Sequence, residues 1–294
     1  MKKNRASSTA LGIASMRAFE SDRAEGERVC YDPFARAFVP DILYWLGKFF
    51  IATGYAERRG PGVMGFLAVR ERYMDDVLLA YQQGGMQQLV LLGAGYDSRP
   101  YRLPVLQQGV QVFEVDHPAT QARKITCLQS VMGALPPGVH FVAIDFNTQS
   151  LEQRLLESGY QPGQKTLFVW QGVVCYLTAE AVDHTLDFIR RCSGPGSAVV
   201  FDYVDQSVLE GALGHSEVNG MQRYRGLTGE GLTFGIPDGT IEPFLVQRGF
   251  TQIKNIDSAG LKARYFTGKR QSQAVISGYQ IVFAVVDTAA GMDR

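Results

Sequence analysis

The strongest constraint on this chain is an apolar run that stops at a glycine turn. Leu89-Val-Leu-Leu92 breaks into Gly93-Ala-Gly95, and a second run, Val112-Phe-Glu-Val115, ends in Asp116, twenty-one residues past Gly95. A short, uninterrupted apolar run bounded by a turn reads as a strand buried on both faces that delivers a ligand to the turn. Glycine at 93 and 95 lets the backbone approach that ligand, where a side chain would block it. An acidic side chain at the tip of the next strand is placed to accept hydrogen bonds from both hydroxyls of a ribose. Together these residues predict a protein that holds an adenosine-containing cofactor at the end of a sheet.

The surrounding pattern supplies the sheet. Strands are expected at 88–92, 110–115, 139–144, 166–170 and 197–203, and most gaps between them hold a helix-length segment. One helix starts with Pro118 in its first turn and runs to Met132. Another runs to about Arg191, with Thr178 as its N-cap. Alternating strands and helices predict an α/β fold with a doubly wound, mostly parallel sheet. Residues 1–85 read as a mainly helical N-terminal cap whose clearest helix is Val63–Tyr81, and 86–204 read as the cofactor-binding core. Residues 205–236, rich in Gly and polar groups and carrying Met221, Tyr224, Leu227 and Phe234, read as a lid insertion. After them come a helix near Pro237–Arg248 and strands at 251–257 and 278–286. With no long helix between them, these strands predict an antiparallel C-terminal hairpin at one sheet edge. The whole chain, 1–294, reads as a single domain.

Composition narrows the setting. Lys plus Arg and Asp plus Glu balance at 29 each, so nothing global points to a nucleic-acid or membrane partner. The four cysteines, Cys30, Cys127, Cys175 and Cys192, show no metal-ligand spacing and read as free thiols. The basic N-terminus is not followed by a signal-type apolar core, and Ile42–Phe50 is too short to span a bilayer. A cytoplasmic protein is expected, and oligomeric state is not indicated.

The choice of cofactor turns on position 98. The third glycine of a dinucleotide fingerprint would fall there, and the chain has Ser98. That disfavours an NAD-dependent dehydrogenase, whereas S-adenosylmethionine carries no phosphate and needs only the turn and the acidic residue. A third element, Val139-His-Phe-Val-Ala-Ile-Asp145-Phe146, offers a carboxylate for an adenine amino group and a ring to line the base pocket. The alternative is that Asp145 merely caps the next helix.

The run Leu92-Gly-Ala-Gly-Tyr-Asp-Ser-Arg99, then Glu114-Val-Asp-His-Pro118 with Arg123-Lys124, then Asp145-Phe146, resembles the leucine carboxyl methyltransferase family. More closely it resembles a bacterial branch of S-adenosylmethionine-dependent O-methyltransferases associated with polyketide and other secondary metabolism. Asp32-Pro-Phe-Ala35 and Arg70-x-Arg72-x-x-x-Asp76 are also similar to family elements, so the likeness covers about residues 12–205. The resemblance implies a class I, Rossmann-like methyltransferase fold. It implies that Arg70 pairs with the methionine carboxylate of the cofactor, a task that suits a guanidinium's parallel donors. The alternative is a surface arginine, with Arg72 a near neighbour. Gly93, Ala94 and Gly95 would form the turn beneath the cofactor, with Asp116 on the ribose and His117 beside it. Asp145 and Phe146 would take the adenine.

Trp170-Gln-Gly-Val-Val-Cys-Tyr-Leu177 occupies the place of a family motif Glu-Gly-Val-x-x-Tyr-Leu. Tyr176 would then lie near the reaction pocket or serve as a core tyrosine. Gln171 departs from the motif: an amide is neutral and can also donate. Losing a negative charge near the cofactor's ammonium or sulfonium predicts either looser binding, which Gln171→Glu would tighten, or a residue that serves a changed substrate.

Methyl transfer from a sulfonium is an in-line displacement that requires alignment and exclusion of water. A carboxylate acceptor is already ionised at neutral pH, whereas a phenol, with a pKa of about 10, usually wants a base. The four histidines, His117, His140, His184 and His215, form no metal-spaced pair, and no metal is expected. His215, in the expected lid, is the one attractive base. Tyr203, at the end of the fifth strand, is expected to face the methyl acceptor. Arg223 and Arg225 either neutralise a substrate carboxylate or solvate a loop. The scarcity of bases favours methylation of a small-molecule carboxylate. A hydroxyl, a protein C-terminal carboxylate and a non-catalytic cofactor-binding role are the alternatives.

Overall fold

A computed structural model describes residues 6–146, 148–211 and 231–287. Seven strands form one sheet: β1 Gln88–Leu92, β2 Gln111–Asp116, β3 Val139–Ala143, β4 Thr166–Trp170, β5 Ala198–Val204, β6 Phe250–Asp257 and β7 Tyr279–Val286. Their order is β3-β2-β1-β4-β5-β7-β6. The first five strands pair in parallel, and β7 runs antiparallel between β5 and β6. Chain order reverses between β1 and β4, so the crevice beyond their carboxyl ends is the expected ligand site in such a sheet.

Both faces of the sheet are covered, which is why every residue of β1, β4 and β5 is buried and residues 89–92, 167–170 and 198–201 read as apolar runs. The N-terminal helices are α1 Ser8–Ser21, α2 Ala35–Phe38, α3 Asp41–Ala52, α4 Tyr55–Arg59 and α5 Val63–Gln82. On one face, Leu89, Leu91, Val112, Leu167 and Val200 pack against Val69, Met74 and Leu78 of α5. A short helix, α6 Arg99–Arg102, follows the glycine turn, and α7 Pro118–Met132 follows β2. Helices α8 Leu151–Glu157 and α9 Ala179–Cys192 cover the other face, where Val90, Phe113, Phe168, Trp170 and Phe201 meet Leu155, Val182, Leu186 and Ile189. The Thr178 hydroxyl caps α9 by accepting from the Ala181 N–H.

The C-terminal strands are antiparallel as expected, but they are not joined by a tight turn. Helix Ser258–Tyr265, capped by Asp257, and a 3-10 turn at Gly268–Arg270 lie between them. The chain then crosses the start of α5, where the Ile276 N–H donates to the Gly62 carbonyl at 3.0 Å. A Cβ at Gly65 would land on the Ala274 carbonyl oxygen, so glycine there permits backbone-to-backbone packing. The helix expected over 237–248 is confined to Ile241–Val246. Edge strand β6 is kinked by a register shift between Thr251 and Lys254, with Gln252 at φ 50°.

Of the expected lid, residues 205–211 and 231–236 are described, and their ends are held together. The Gln206 N–H donates to Ile236 O at 3.1 Å and the Ile236 N–H to Val204 O at 3.0 Å. Thr233 reaches the loop after β4, with its N–H on Cys175 O at 2.8 Å and its hydroxyl on Leu177 O at 2.7 Å. His215, Met221, Arg223, Tyr224, Arg225 and Leu227 lie outside the described residues. No helix among the described residues is long and apolar enough to cross a membrane.

Candidate active site

The turn after β1 is crowded on two sides. Gly93 has φ 68°, and a Cβ there would stand 2.5 Å from Val173 Cγ2, in the loop after β4. Gly95 has φ 49°, and its Cβ would come within 3.2 Å of the Ala10 methyl on α1. Between them, Ala94 donates its N–H to Val115 O at 2.9 Å, tying the turn to β2. The Asp116 carboxylate accepts from the Gly95 N–H and, at 2.6 Å, from the His117 N–H. Burial pushes this carboxyl upward from the usual range, and the two backbone donors oppose the shift. Its orientation is therefore fixed by the turn it serves. Ser98 is buried at the start of α6, and its hydroxyl accepts from Arg102 Nε at 3.1 Å.

His117 caps α7, with Nδ1 accepting from the Ala119 N–H at 3.2 Å. Asp145 and Phe146 follow β3, which runs beside β2 in register Asp116↔Ala143, so both acidic residues emerge at the same sheet end. The Asp145 carbonyl closes a turn by accepting from the Thr148 and Gln149 N–H groups. The helix-capping alternative for Asp145 does not hold, because the Ser150 hydroxyl caps α8. Phe146 is exposed.

Helix α5 separates Arg70 from Arg72. Arg72 lies at the surface and pairs with Asp76 at 2.8 Å. Arg70 is 3% exposed and reaches beneath the loop after β4. Its Nη1 donates to Asp202 at 2.8 Å, and the other oxygen of Asp202 accepts from the Gly172 N–H at 2.6 Å. A Cβ at Gly172 would stand 3.2 Å from Nη1. Burial alone would weaken the Arg70 cation, but Asp202 and Glu71 hold its pKa above the ordinary value. Its Nε and Nη2 are buried and have no hydrogen-bond partner among the described residues.

Gln171 donates from Nε2 to Glu71 at 2.7 Å, and its Oε1 is likewise buried without a partner among the described residues. Glu71 also meets Arg99 at 2.7 Å and Arg17 at 3.4 Å. Burial opposes its charge, but Arg99, Arg17 and Arg70 bring the carboxyl down to about 2. The network continues through Arg17–Asp32, Arg99–Asp75, Arg99–Asp97 and Arg102–Asp75. Glu71, Asp202, Arg17 and Arg99 were not among the expected site residues. The available signal was charge on an apolar stripe: positions 70, 71, 74, 75 and 78 share one face of α5, and all are buried.

The expectation that Tyr203 faces a methyl acceptor does not hold. Successive strand residues point to opposite faces. Asp202 points toward α5, and Tyr203 points into the other layer with Phe201 and Phe234. Its hydroxyl is engaged with Gln280 at 3.1 Å and Asn255 at 3.2 Å, and burial pushes the phenol pKa up. Tyr176 is half-buried and packs with Leu209 and Leu232 against Cys175, Val204 and Val208, beside the loop that carries Gln171.

Comparison with known proteins identifies the family and the fold. A profile of the leucine carboxyl methyltransferase family matches residues 10–190. A provisionally named S-adenosyl-L-methionine-dependent methyltransferase of Parafrankia sp. is 36% identical over 66% of this chain and 62% of its own. The matched stretch therefore spans less than two thirds of that relative. A protein of the same description from Bacillus subtilis is 30% identical over 74% of this chain and 71% of its own. Among solved structures, a provisionally assigned methyltransferase from Thermobifida fusca superimposes with TM-score 0.59 at 13% identity, covering 97% of this chain and 96% of its own. That likeness concerns the fold. On the family match and the identity to these relatives, the chain belongs to the leucine carboxyl methyltransferase family.

Proposed function

We propose that the protein is an S-adenosylmethionine-dependent methyltransferase that esterifies a carboxylate of a small-molecule acceptor by in-line displacement. The observation that carries the cofactor reading is the pair of unpartnered, buried donors on Arg70, with the unpartnered acceptor of Gln171 on the adjoining loop. Buried donors left unmade cost about 1–3 kcal/mol each, more when charged, and a ligand carboxylate satisfies both in parallel. Arg70 binds the methionine carboxylate, and Gln171 Oε1 accepts from the ammonium. Asp116, held by the Gly95 and His117 N–H groups, accepts from the ribose hydroxyls. Asp145 and Phe146 flank the adenine, and the Gly93–Gly95 turn lets the chain approach from below. When bound, S-adenosylmethionine supplies a methyl group activated on sulfonium. The chain's own part is to align and to exclude water.

Carboxylate as acceptor is supported by the family and by the chemistry of the described residues. Tyr203 is spent on Asn255 and Gln280, so it offers no base, and a carboxylate requires none. The apolar surface of Tyr176, Leu209 and Leu232 suits an apolar acceptor body of the secondary-metabolite kind. No disulfide joins the four cysteines, and the cytoplasmic setting we propose is one that keeps thiols reduced. The test is a labelled-methyl assay against extracts of the source cell. Base-labile label released as volatile methanol is expected, whereas label that survives base would refute the carboxylate.

A further inference from the structure

We propose that Glu71 is the charge of the ammonium subsite: it fixes Gln171 with its carbonyl oxygen facing the pocket beside Arg70, and it supplies the negative charge that the family motif places at 171. This rests on the cofactor reading above. Glu71 and Gln171 lie one hundred residues apart and meet at 2.7 Å. An ionised carboxylate only accepts, so the amide nitrogen must face it and the amide oxygen must face away. Between two neutral partners the amide would be free to flip; against Glu71 it is not.

Glu71 is kept ionised by Arg99 and Arg17, so the orientation persists at neutral pH. The amide oxygen it aims is buried and has no partner among the described residues. Gly172, next in sequence, passes over Arg70 Nη1. Parallel donors and a single acceptor thus come together on neighbouring residues, which suits a carboxylate and an ammonium carried on one carbon. A hydrogen bond to a carboxylate also polarises the amide and strengthens its oxygen as an acceptor. The departure at 171 is therefore compensated within the chain rather than left as a deficit. A glutamate at 171 would bring a second carboxylate within hydrogen-bond distance of Glu71, where like charges oppose each other. The expectation that Gln171→Glu tightens cofactor binding is thereby reversed.

The experiment is calorimetric titration with S-adenosylhomocysteine and with its deaminated analogue, which lacks the ammonium. Glu71→Gln is expected to weaken the amine-bearing ligand by about tenfold and the deaminated one by less than about twofold. Arg99 keeps Asp75 and Asp97, and Arg17 keeps Asp32, so counter-ions remain in this variant. Gln171→Glu alone is expected to tighten neither ligand. The exchange Glu71→Gln with Gln171→Glu is expected to recover the amine-bearing ligand to within about threefold of the native protein. Should Glu71→Gln fail to fold, Gln171→Met carries the same test through a selective loss of the amine-bearing ligand. Equal weakening of both ligands in either variant, or tighter binding in Gln171→Glu alone, overturns the role of Glu71. A native protein that binds neither ligand overturns the cofactor reading itself, and this role with it.

Discussion

Asp202 ties Arg70 to the loop after β4, and Asp202→Asn tests that claim with little change of shape. The side chain is 4% exposed and has two partners, Arg70 Nη1 at 2.8 Å and the Gly172 N–H at 2.6 Å. Both partners are donors. An asparagine oxygen can still accept from one, but its amide group then turns a third donor on the other. Arg70 becomes a buried cation that has lost its strongest counter-charge, with two nitrogens already unpartnered among the described residues. Removing one side of a buried pair costs about 3–5 kcal/mol, and the surviving hydrogen bond returns roughly 1 kcal/mol. A net loss of about 2–4 kcal/mol is therefore expected, read as a lower urea midpoint at unchanged slope. A loss below about 0.5 kcal/mol, the scale of an ordinary surface change, would mean that Arg70 does not depend on Asp202. The account of its free donors would then be wrong.

Gly65→Ala is expected to destabilise by about 1–3 kcal/mol in the same urea assay, because its Cβ meets the Ala274 carbonyl and the two backbones must separate. Acid stability should carry the mark of Glu71. Its folded pKa lies below the unfolded value, so its stabilisation is full above about 4.5 and is lost as pH falls through about 2. Glu71→Gln should flatten that part of the profile, measured by thermal melts at stepped pH. Asp116→Ala removes the acceptor that holds the Gly95 and His117 N–H groups, and affinity for adenosine itself should fall by about 10- to 100-fold in a competition titration.

The parts of the fold legible in the sequence were those in which one residue type has one use. Apolar runs at residues 89–92, 167–170 and 198–201 need both faces buried, and glycine at 93 and 95 needs close approach at a turn. Strand β5 shows where the signal ended. All seven of its residues are buried, so no polar alternation distinguishes the face of Asp202 from that of Tyr203, and the sequence carries no signal for the side the tyrosine takes. The helix Ser258–Tyr265 is eight residues long with Gly260 inside it, too short and too weak in propensity to announce itself. Gln171 was legible as a departure, but its meaning depended on Glu71, a contact across one hundred residues that no local pattern encodes.

The central claim is that Arg70 receives the carboxylate of a bound S-adenosyl ligand. Its most direct test is the dissociation constant of S-adenosylhomocysteine for the native protein and for Arg70→Met, measured side by side by calorimetry with thermal melts as a check on folding. Binding by the native protein and a loss of at least about 100-fold in the folded variant are predicted. Equal affinity in the two proteins would contradict the account.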